Sequence, residues 1–420
     1  MVLAIGLLLL QACSFRGNNQ MIAAMAQSQP EQLLVKLKEQ SPYLRDLPVH
    51  LLNVGSLEFS TGDFKAAIQT LSQAKELIVA SEAVSISENI GSVSVNETIR
   101  TYTGTPSDKV TVHTLLALSY LFANDIYGAR VEILQADVTA QRLAEKHEIA
   151  GQLVSLNMIG GIIFEQLKEY DSALVSYRKA LQICRARRYA VSDALKYALI
   201  RLNQKQGYQD ELKKYLAEFG LKDAPQPSNY LVQMIYLDGL VSYKVENRIT
   251  VPFNGQIISV TMPEYRSAKT NSRFATLETD LAQTKSQVIE DFNLLAREDF
   301  ALERPAILSA AIARATTSAI TVNQLNQQNP LAAALFNIVA VAKEIADVRS
   351  WVSLPATMQL AVLPAKANKI KVISKNFVQN KELERKGSHI ILVLSNNKQI
   401  FGYPAFKSEP LILEQEKDKP

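Results

Sequence analysis

Three stretches in the first half of the chain share one spacing of small and bulky residues. Each begins with a small residue (Gly55, Ala117 or Gly161), and an aromatic or aliphatic residue stands nine positions later. A second small residue follows after three positions, a bulky residue after four more, and an alanine after a further three. Two antiparallel helices approach closely only where their side chains are small, and bulky residues fill the groove between them. The spacing therefore predicts three helix pairs.

This spacing is typical of the tetratricopeptide (TPR) repeat, in which helix pairs stack into an α-solenoid. The three opening residues are 62 and 44 positions apart, whereas TPR repeats recur about every 34, so long inserts must separate them. The largest insert, Ala80–Lys109, is predicted to extend a second helix and then to become a loop. A fourth, degenerate pair is expected to end at Gly220. We predict a TPR-like domain over residues 30–222, with a generic helical bundle as the alternative.

A β-hairpin is predicted after the helical half. The stretch Arg248–Tyr265 alternates apolar and polar residues around Asn254-Gly255, and this dipeptide between alternating runs indicates a hairpin turn. Helices are then predicted over Ala275–Arg297 and Glu303–Gln327, the second with Pro305 in its first turn, where proline is tolerated.

The run Leu331–Ala342 is strongly apolar. It is too short to span a bilayer, and Lys343 and Glu344 follow directly, so a buried core helix is the interpretation we favour. Residues 228–350 are therefore predicted to form a hairpin and helical domain.

Short β-rich segments mark the tail, namely "TMQLAVLPA", "KIKVIS" and "SHIILVLSNN". Their composition and the turn residues between them predict hairpins and a short β-meander in a small β-rich domain, residues 351–408. The predicted fold is mainly α, with a TPR-like α-solenoid N-terminal half followed by an α+β C-terminal part.

The N-terminus resembles a bacterial lipoprotein signal. Residues 1–12 carry no charge, and an apolar run of this length suits a secretory signal better than a membrane span. Leu10, Gln11, Ala12 and Cys13 resemble a lipoprotein box, which implies removal of residues 1–12, lipidation of Cys13 and a lipidated tether over residues 13–29. Ser14 resembles an outer-membrane sorting signal. An ordinary apolar N-terminus with an incidental cysteine is the alternative.

Composition argues against several classes of function. The net charge is +4 over 420 residues, and no basic cluster indicates nucleic-acid binding. Cys184 is expected to pack in a core, and the four scattered histidines give no zinc spacing, so neither a metal nor a cofactor is predicted. No nucleophile elbow, Walker loop or metalloprotease motif is present. A third hypothesis is a cell-wall glycan-acting enzyme with two carboxylates across a cleft.

Three motifs occur in the order "HTLLALSYLFANDIYGARVEI", "VTMPEY" and "EIADVRSWVSLPATMQLAVLP". In this order they resemble an uncharacterised family of TPR-containing lipoproteins of Gram-negative bacteria, and the resemblance covers about residues 48–395. It implies a cell-envelope location, protein partners there and other envelope lipoproteins among them. It supplies no catalytic residue.

Five residues are predicted to bind partners. Asn53, Tyr120 and Asn157 are polar positions of the repeat helices that we expect to be exposed. Trp351 and Arg349 are residue types enriched at binding hot spots, although a junction between the helical and β parts would also explain them. The predicted function is a non-catalytic, lipid-anchored scaffold or adaptor on the periplasmic side of the outer membrane. The alternative is a structural subunit of an envelope lipoprotein assembly.

Overall fold

The computed structural model describes residues 21, 23–25, 30–88, 100–226, 228, 230–253, 256–268, 273–333, 345–366, 369–375, 377–383, 387–395 and 398–406. The predicted signal peptide, Cys13, the Asn254-Gly255 turn, residues 334–342 of the Leu331–Ala342 run and Glu344 lie outside the described residues.

The helical half consists of helix pairs, as the spacing predicts. A short helix, α1 (Pro30–Lys38), precedes them, and the fourth, degenerate pair is present. The pairs are α2 (Leu47–Ser60) with α3 (Phe64–Glu88), α4 (Pro106–Phe122) with α5 (Ile126–Ala144), α6 (Val154–Gln166) with α7 (Tyr170–Arg187), and α8 (Asp193–Gln206) with α9 (Gln209–Glu218). Each pair also contacts the next, through α3 and α4, α5 and α6, and α7 and α8. We call residues 47–218 the repeat domain.

The small residues of the spacing lie where the helices cross. A Cβ atom added to Gly55 would come within 2.6 Å of the Leu71 side chain, and one added to Gly161 would collide with the Tyr177 ring. The alanines of the spacing, among them Ala67, are fully buried. The repeat spacing therefore records close contact between the two helices of a pair.

Eleven strands are described in the C-terminal half. They are β1 (Leu231–Asp238), β2 (Tyr243–Phe253), β3 (Gln256–Arg266), β4 (Thr276–Glu278), β5 (Gln283–Lys285), β6 (Gln287–Asp291), β7 (Thr357–Pro364), β8 (Lys369–Ser374), β9 (Phe377–Glu382), β10 (His389–Leu394) and β11 (Gln399–Tyr403). β2 and β3 form the predicted hairpin. The central sheet has the order β11-β10-β1-β7-β6, and the outer sheet has the order β5-β4-β8-β9.

The central sheet is a middle layer. β1 pairs in parallel with β10 and antiparallel with β7, and every residue of β1 and β10 is buried. Ile235 and Leu237 of β1 share a core with the repeat domain, whereas the alternate residues Met234 and Tyr236 pack with Val372 and its neighbours in the outer sheet. The sheet therefore separates two cores.

The helices predicted over Ala275–Arg297 and Glu303–Gln327 are wrong in their boundaries. Residues 276–291 form β4, β5 and β6, and a single 37-residue helix, α10 (Phe292–Gln328), follows with Pro305 inside it. Pairing of β6 with β7 decides the first segment, and such non-local pairing overrides local helical propensity.

The predicted boundary at residues 350 and 351 does not separate two structural units. β1 and β6 come from before it, and β7, β10 and β11 come from after it, yet all five form the central sheet. The outer sheet is divided in the same way. Residues 231–403 therefore form one α+β part.

Replacing Gly161 with alanine tests the close helix contact. Alanine gains helical propensity of about 0.5–1 kcal/mol, but the collision with Tyr177 costs about 1–3 kcal/mol, because that ring is buried and bonded to Glu165. We expect the free energy of unfolding of Gly161→Ala, measured by chemical denaturation, to be about 1–2 kcal/mol lower than that of wild type. Adding Tyr177→Leu should relieve the collision. The double variant should therefore lose less free energy of unfolding than the sum of the losses of the two single variants. Purely additive effects would contradict this packing.

Candidate functional site

The face formed by the first helix of each pair is covered by the chain's own α+β part. Trp351 is buried in this contact, and its Nε1 donates to Ser56 Oγ of α2 at 2.8 Å. Asn53, also on α2, accepts a hydrogen bond from the Ser353 backbone nitrogen at 3.0 Å. The sequence motif around Trp351 therefore forms the junction between the two halves.

The expected exposure of Asn53 and Asn157 is wrong. Both side chains are buried, and each donates to the backbone oxygen four residues earlier, Val49 and Leu153 respectively. Tyr120 is partly buried and packs against the repeat core, with its ring where a side chain on Gly128 would otherwise stand. Sequence position within a repeat could not show the burial of Asn53, because Ser353, which bonds to it, lies 300 residues away in the chain.

Arg349 binds the start of the repeat domain. Its guanidinium lies 2.6 Å from Asp347 and 3.1 Å from Asp46, and it also donates to the backbone oxygens of Arg45 and Arg100. Burial opposes the charge, but Asp347 and Asp46 outweigh burial and raise the pKa of Arg349 above its usual value. This arginine therefore fixes the junction at one end.

Three side chains of residues 287–299 bind the N-termini of successive first helices. Glu290 accepts from the backbone nitrogen of Ser155 in α6 at 3.0 Å. Asp299 accepts from the Ser107 nitrogen in α4 at 2.8 Å, and Gln287 accepts from the Asp193 nitrogen in α8 at 2.6 Å. Helix N-termini present unpaired N–H groups and a partial positive charge. We call these three residues the capping residues.

Burial changes the acidity of the two capping carboxyls. It raises the pKa of Glu290 to about 7 and that of Asp299 to about 6, although hydrogen bonds from Ser155 and from Thr105 and Ser107 act in the opposite direction. Arg187 of α7 faces Glu290 at 4.0 Å and is also paired with Glu298. Both shifts therefore come mainly from desolvation at the contact between the two halves.

The geometry offers no reaction centre among the described residues. The two carboxyls with raised pKa are held as helix caps, and a nearby cavity of about 30 Å³, lined by Tyr102, Asp108 and Tyr265, has room for only one or two waters. Burial raises the pKa of the Cys184 thiol to about 11, so it is protonated at neutral pH. Within the described ranges no group of three His, Cys, Asp or Glu side chains could hold a metal.

A second candidate surface is what we call the arm, consisting of residues 249–253 and 256–263 of the hairpin and residues 305–328 of α10. Val260 and Ala311 are fully buried against each other, with Leu308 and Ile312 packed around them. The only charged residue in these two segments is Arg314. Most residues of the helix segment 305–328 are nevertheless not buried. This segment therefore exposes an almost uncharged surface to solvent.

Comparison with known proteins gives structural matches to about half of the chain. No protein-family model and no curated protein matches it. Among solved structures, PilF of Pseudomonas aeruginosa matches at a TM-score of 0.32 and 14% identity, covering 48% of this chain and 72% of that one. MamA of MSR-1 matches at 0.31 and 14%, covering 48% and 91%. The apo form of RapI matches at 0.34 and 14%, covering 49% and 51%.

Truncating Trp351 should separate the contributions of ring and hydrogen bond to the junction. Trp351→Ala removes a buried ring, so we expect the free energy of unfolding to fall by about 3–5 kcal/mol in chemical denaturation. Trp351→Phe keeps most of the apolar contact and should cost less. Phe274→Ala, at a half-exposed ring, is the control and should stay within about 0.5 kcal/mol of wild type. An equally small effect of Trp351→Ala would contradict the junction.

Glu290→Gln should flatten the pH dependence of stability. Because the folded-state pKa of Glu290 is raised from 4.5 to about 7, the folded protein binds the proton more tightly than the unfolded chain. Its contribution to stability is therefore present below pH 4.5 and lost as the pH rises to about 7, by an amount of about 3 kcal/mol. Glutamine does not titrate but can still accept from Ser155.

The measurement is the free energy of unfolding of both proteins across this pH range. The difference between Glu290→Gln and wild type should grow in favour of the variant as the pH rises. Glu76→Gln, at an exposed position of α3, is the matched control and should follow the wild-type profile. If the free energies of unfolding of Glu290→Gln and wild type changed in parallel with pH, Glu290 could not have the raised pKa.

Proposed function

We propose that the protein is a non-catalytic scaffold, lipid-anchored in the bacterial cell envelope, that binds a protein partner through the arm. The observation that carries this proposal is the near absence of charge from the exposed segment 305–328 of α10 and from the hairpin segment packed on it. In a chain with 20% charged residues, an uncharged exposed surface of this extent is typical of a surface that another molecule covers.

The repeat domain itself does not offer its first-helix face to a partner. Trp351, Ser353 and the capping residues already bind the first helices there. Partner binding by the surface that stacked helix pairs usually present would require this contact to open. The arm is the more accessible surface, which is why we place the partner there.

A protein fits the arm better than a bilayer interior does. The helix Phe292–Gln328 is long and apolar enough to cross a membrane by length and composition. However, α10 packs on β3 of a hairpin that is a two-stranded sheet, and open strand edges are not tolerated in hydrocarbon. The end of the helix, residues 323–328, also carries five amide side chains, which are costly to bury in lipid.

The envelope location rests on the N-terminal sequence. Lipidation of Cys13 after removal of residues 1–12 would attach the scaffold to a membrane, and Ser14 supports the outer membrane facing the periplasm. Cys13→Ser should release the protein from the membrane fraction on cell fractionation, with Cys184→Ser as the matched control. A Cys13→Ser protein that stays in the membrane fraction would refute the anchor.

A photo-crosslinking amino acid at Ile320 tests partner binding in cells. Ile320 on the arm and Val378 on the outer sheet are exposed to similar extents, 49% and 58%. We expect a protein adduct from Ile320 and none from Val378, and we expect Ala313→Glu on the same helix to abolish it. A lipid adduct, an adduct insensitive to Ala313→Glu, or none would contradict the proposal. A stoichiometric complex of envelope lipoproteins would favour a structural subunit.

A further inference from the structure

The outward face of α5 carries a line of exposed apolar side chains. Tyr127, Val131, Leu134 and Val138 are exposed to between 44% and 71% of their residue surface. They follow one another at intervals of four, three and four residues, and this spacing places them on one side of a helix. We call these four residues the seam.

The other repeats show that the seam is not a general property of this face. The buried positions Ala67, Ala129 and Ala173 align the second helices α3, α5 and α7, so equivalent outward positions can be compared. Where α5 has its four apolar residues, the equivalent residues are Lys65, Gln69, Ser72 and Glu76 in α3, and Asp171, Val175, Arg178 and Gln182 in α7. Only Val175 among these eight is apolar.

The spacing of the seam selects a helix as its partner. Intervals of four, three and four residues are those of alternating d and a positions in a coiled coil. The same intervals result when the seam is read backwards. Two antiparallel copies of α5 would therefore place Tyr127 opposite Val138 of the second copy, and Val131 opposite Leu134. Each layer joins a d position to an a position, and the bulky tyrosine meets a smaller valine.

The charges beside the seam fit the same arrangement. Arg130 and Asp137 lie on one flank of the seam, both at g positions of the heptad that the seam defines. In the antiparallel pair, Arg130 of one copy lies beside Asp137 of the other, and the two-fold symmetry repeats the contact. Each is paired within its own chain with Glu169 and Lys179 respectively. An exposed ion pair contributes little energy. The contact between Arg130 of one copy and Asp137 of the other would therefore help to set the register of the two helices and would add little to the affinity.

We infer that the protein self-associates as a two-fold symmetric dimer through antiparallel packing of the α5 seam. The partner is a second copy of this chain, and the interface uses one surface patch on both subunits. Four layers of side chains place the contact near the lower end of specific interfaces, which bury roughly 1,200 Å² in total. The dimer should therefore dissociate on dilution. This inference does not depend on the arm, and a failed dimer test leaves the proposed function standing.

Sedimentation velocity of the full chain in detergent, across a broad concentration range, tests the dimer. We expect a concentration-dependent monomer–dimer equilibrium. Val131→Glu should weaken dimerisation at least about tenfold, the effect of about 1.4 kcal/mol. Val175→Glu is the matched control, because Val175 is the equivalent residue of α7 and is 51% exposed against 48% for Val131. It should leave the equilibrium unchanged.

Mixed disulfide formation tests the orientation without disturbing the centre of the seam. In a Cys13→Ser background, equimolar Tyr127→Cys and Val138→Cys chains should form a crosslinked heterodimer. Neither variant alone should crosslink, since the two-fold axis separates its own two copies by about eleven residues of helix, or roughly 16 Å. Cys184 is buried, so it should not compete.

Three results would overturn the inference. The first is a wild-type chain that is monomeric at every concentration. The second is an equal effect of Val131→Glu and Val175→Glu at matched thermal stability, which a melting curve followed by circular dichroism verifies. The third is crosslinking of each single cysteine variant with itself, which would show a parallel contact.

Discussion

The contact between the capping residues and the N-termini of the first helices is the constraint on which the rest of the architecture depends. Every helix begins with N–H groups that have no partner within the helix. In α4, α6 and α8 some of these groups are bound by Asp299, Glu290 and Gln287, so one short segment holds three successive pairs. The relative position of the two halves is therefore fixed by directional bonds as well as by apolar packing.

This constraint also decides where the protein can bind something else. Residues of the central sheet share one core with the repeat helices, so the first-helix face is interior. The outer face of the second helices and the arm remain accessible. Apolar or uncharged side chains are exposed on both.

The buried ionisable groups show what such a junction costs. Burial raises the pKa of Glu290 and Asp299 towards neutrality, which means that their charged forms are disfavoured where they bind. An apolar contact of the same size would avoid this desolvation penalty, but it would not require a particular orientation of the two halves. Each capping residue must meet one helix N-terminus, so only one relative position of the two halves satisfies all three bonds.

The sequence by itself determined the local features of this protein. The spacing around Gly55, Ala117 and Gly161 predicts the helix pairs, and alternation predicts the hairpin, because both patterns depend on neighbours close in the chain. The tertiary structure decided which side chains are accessible. Asn53 became interior, and Gln287–Asp291 became a strand, because residues more than 60 positions away in the chain bond to or pair with them. Such contacts leave no periodic signal in the sequence, which is why the first-helix face could not be recognised as covered before the fold was known.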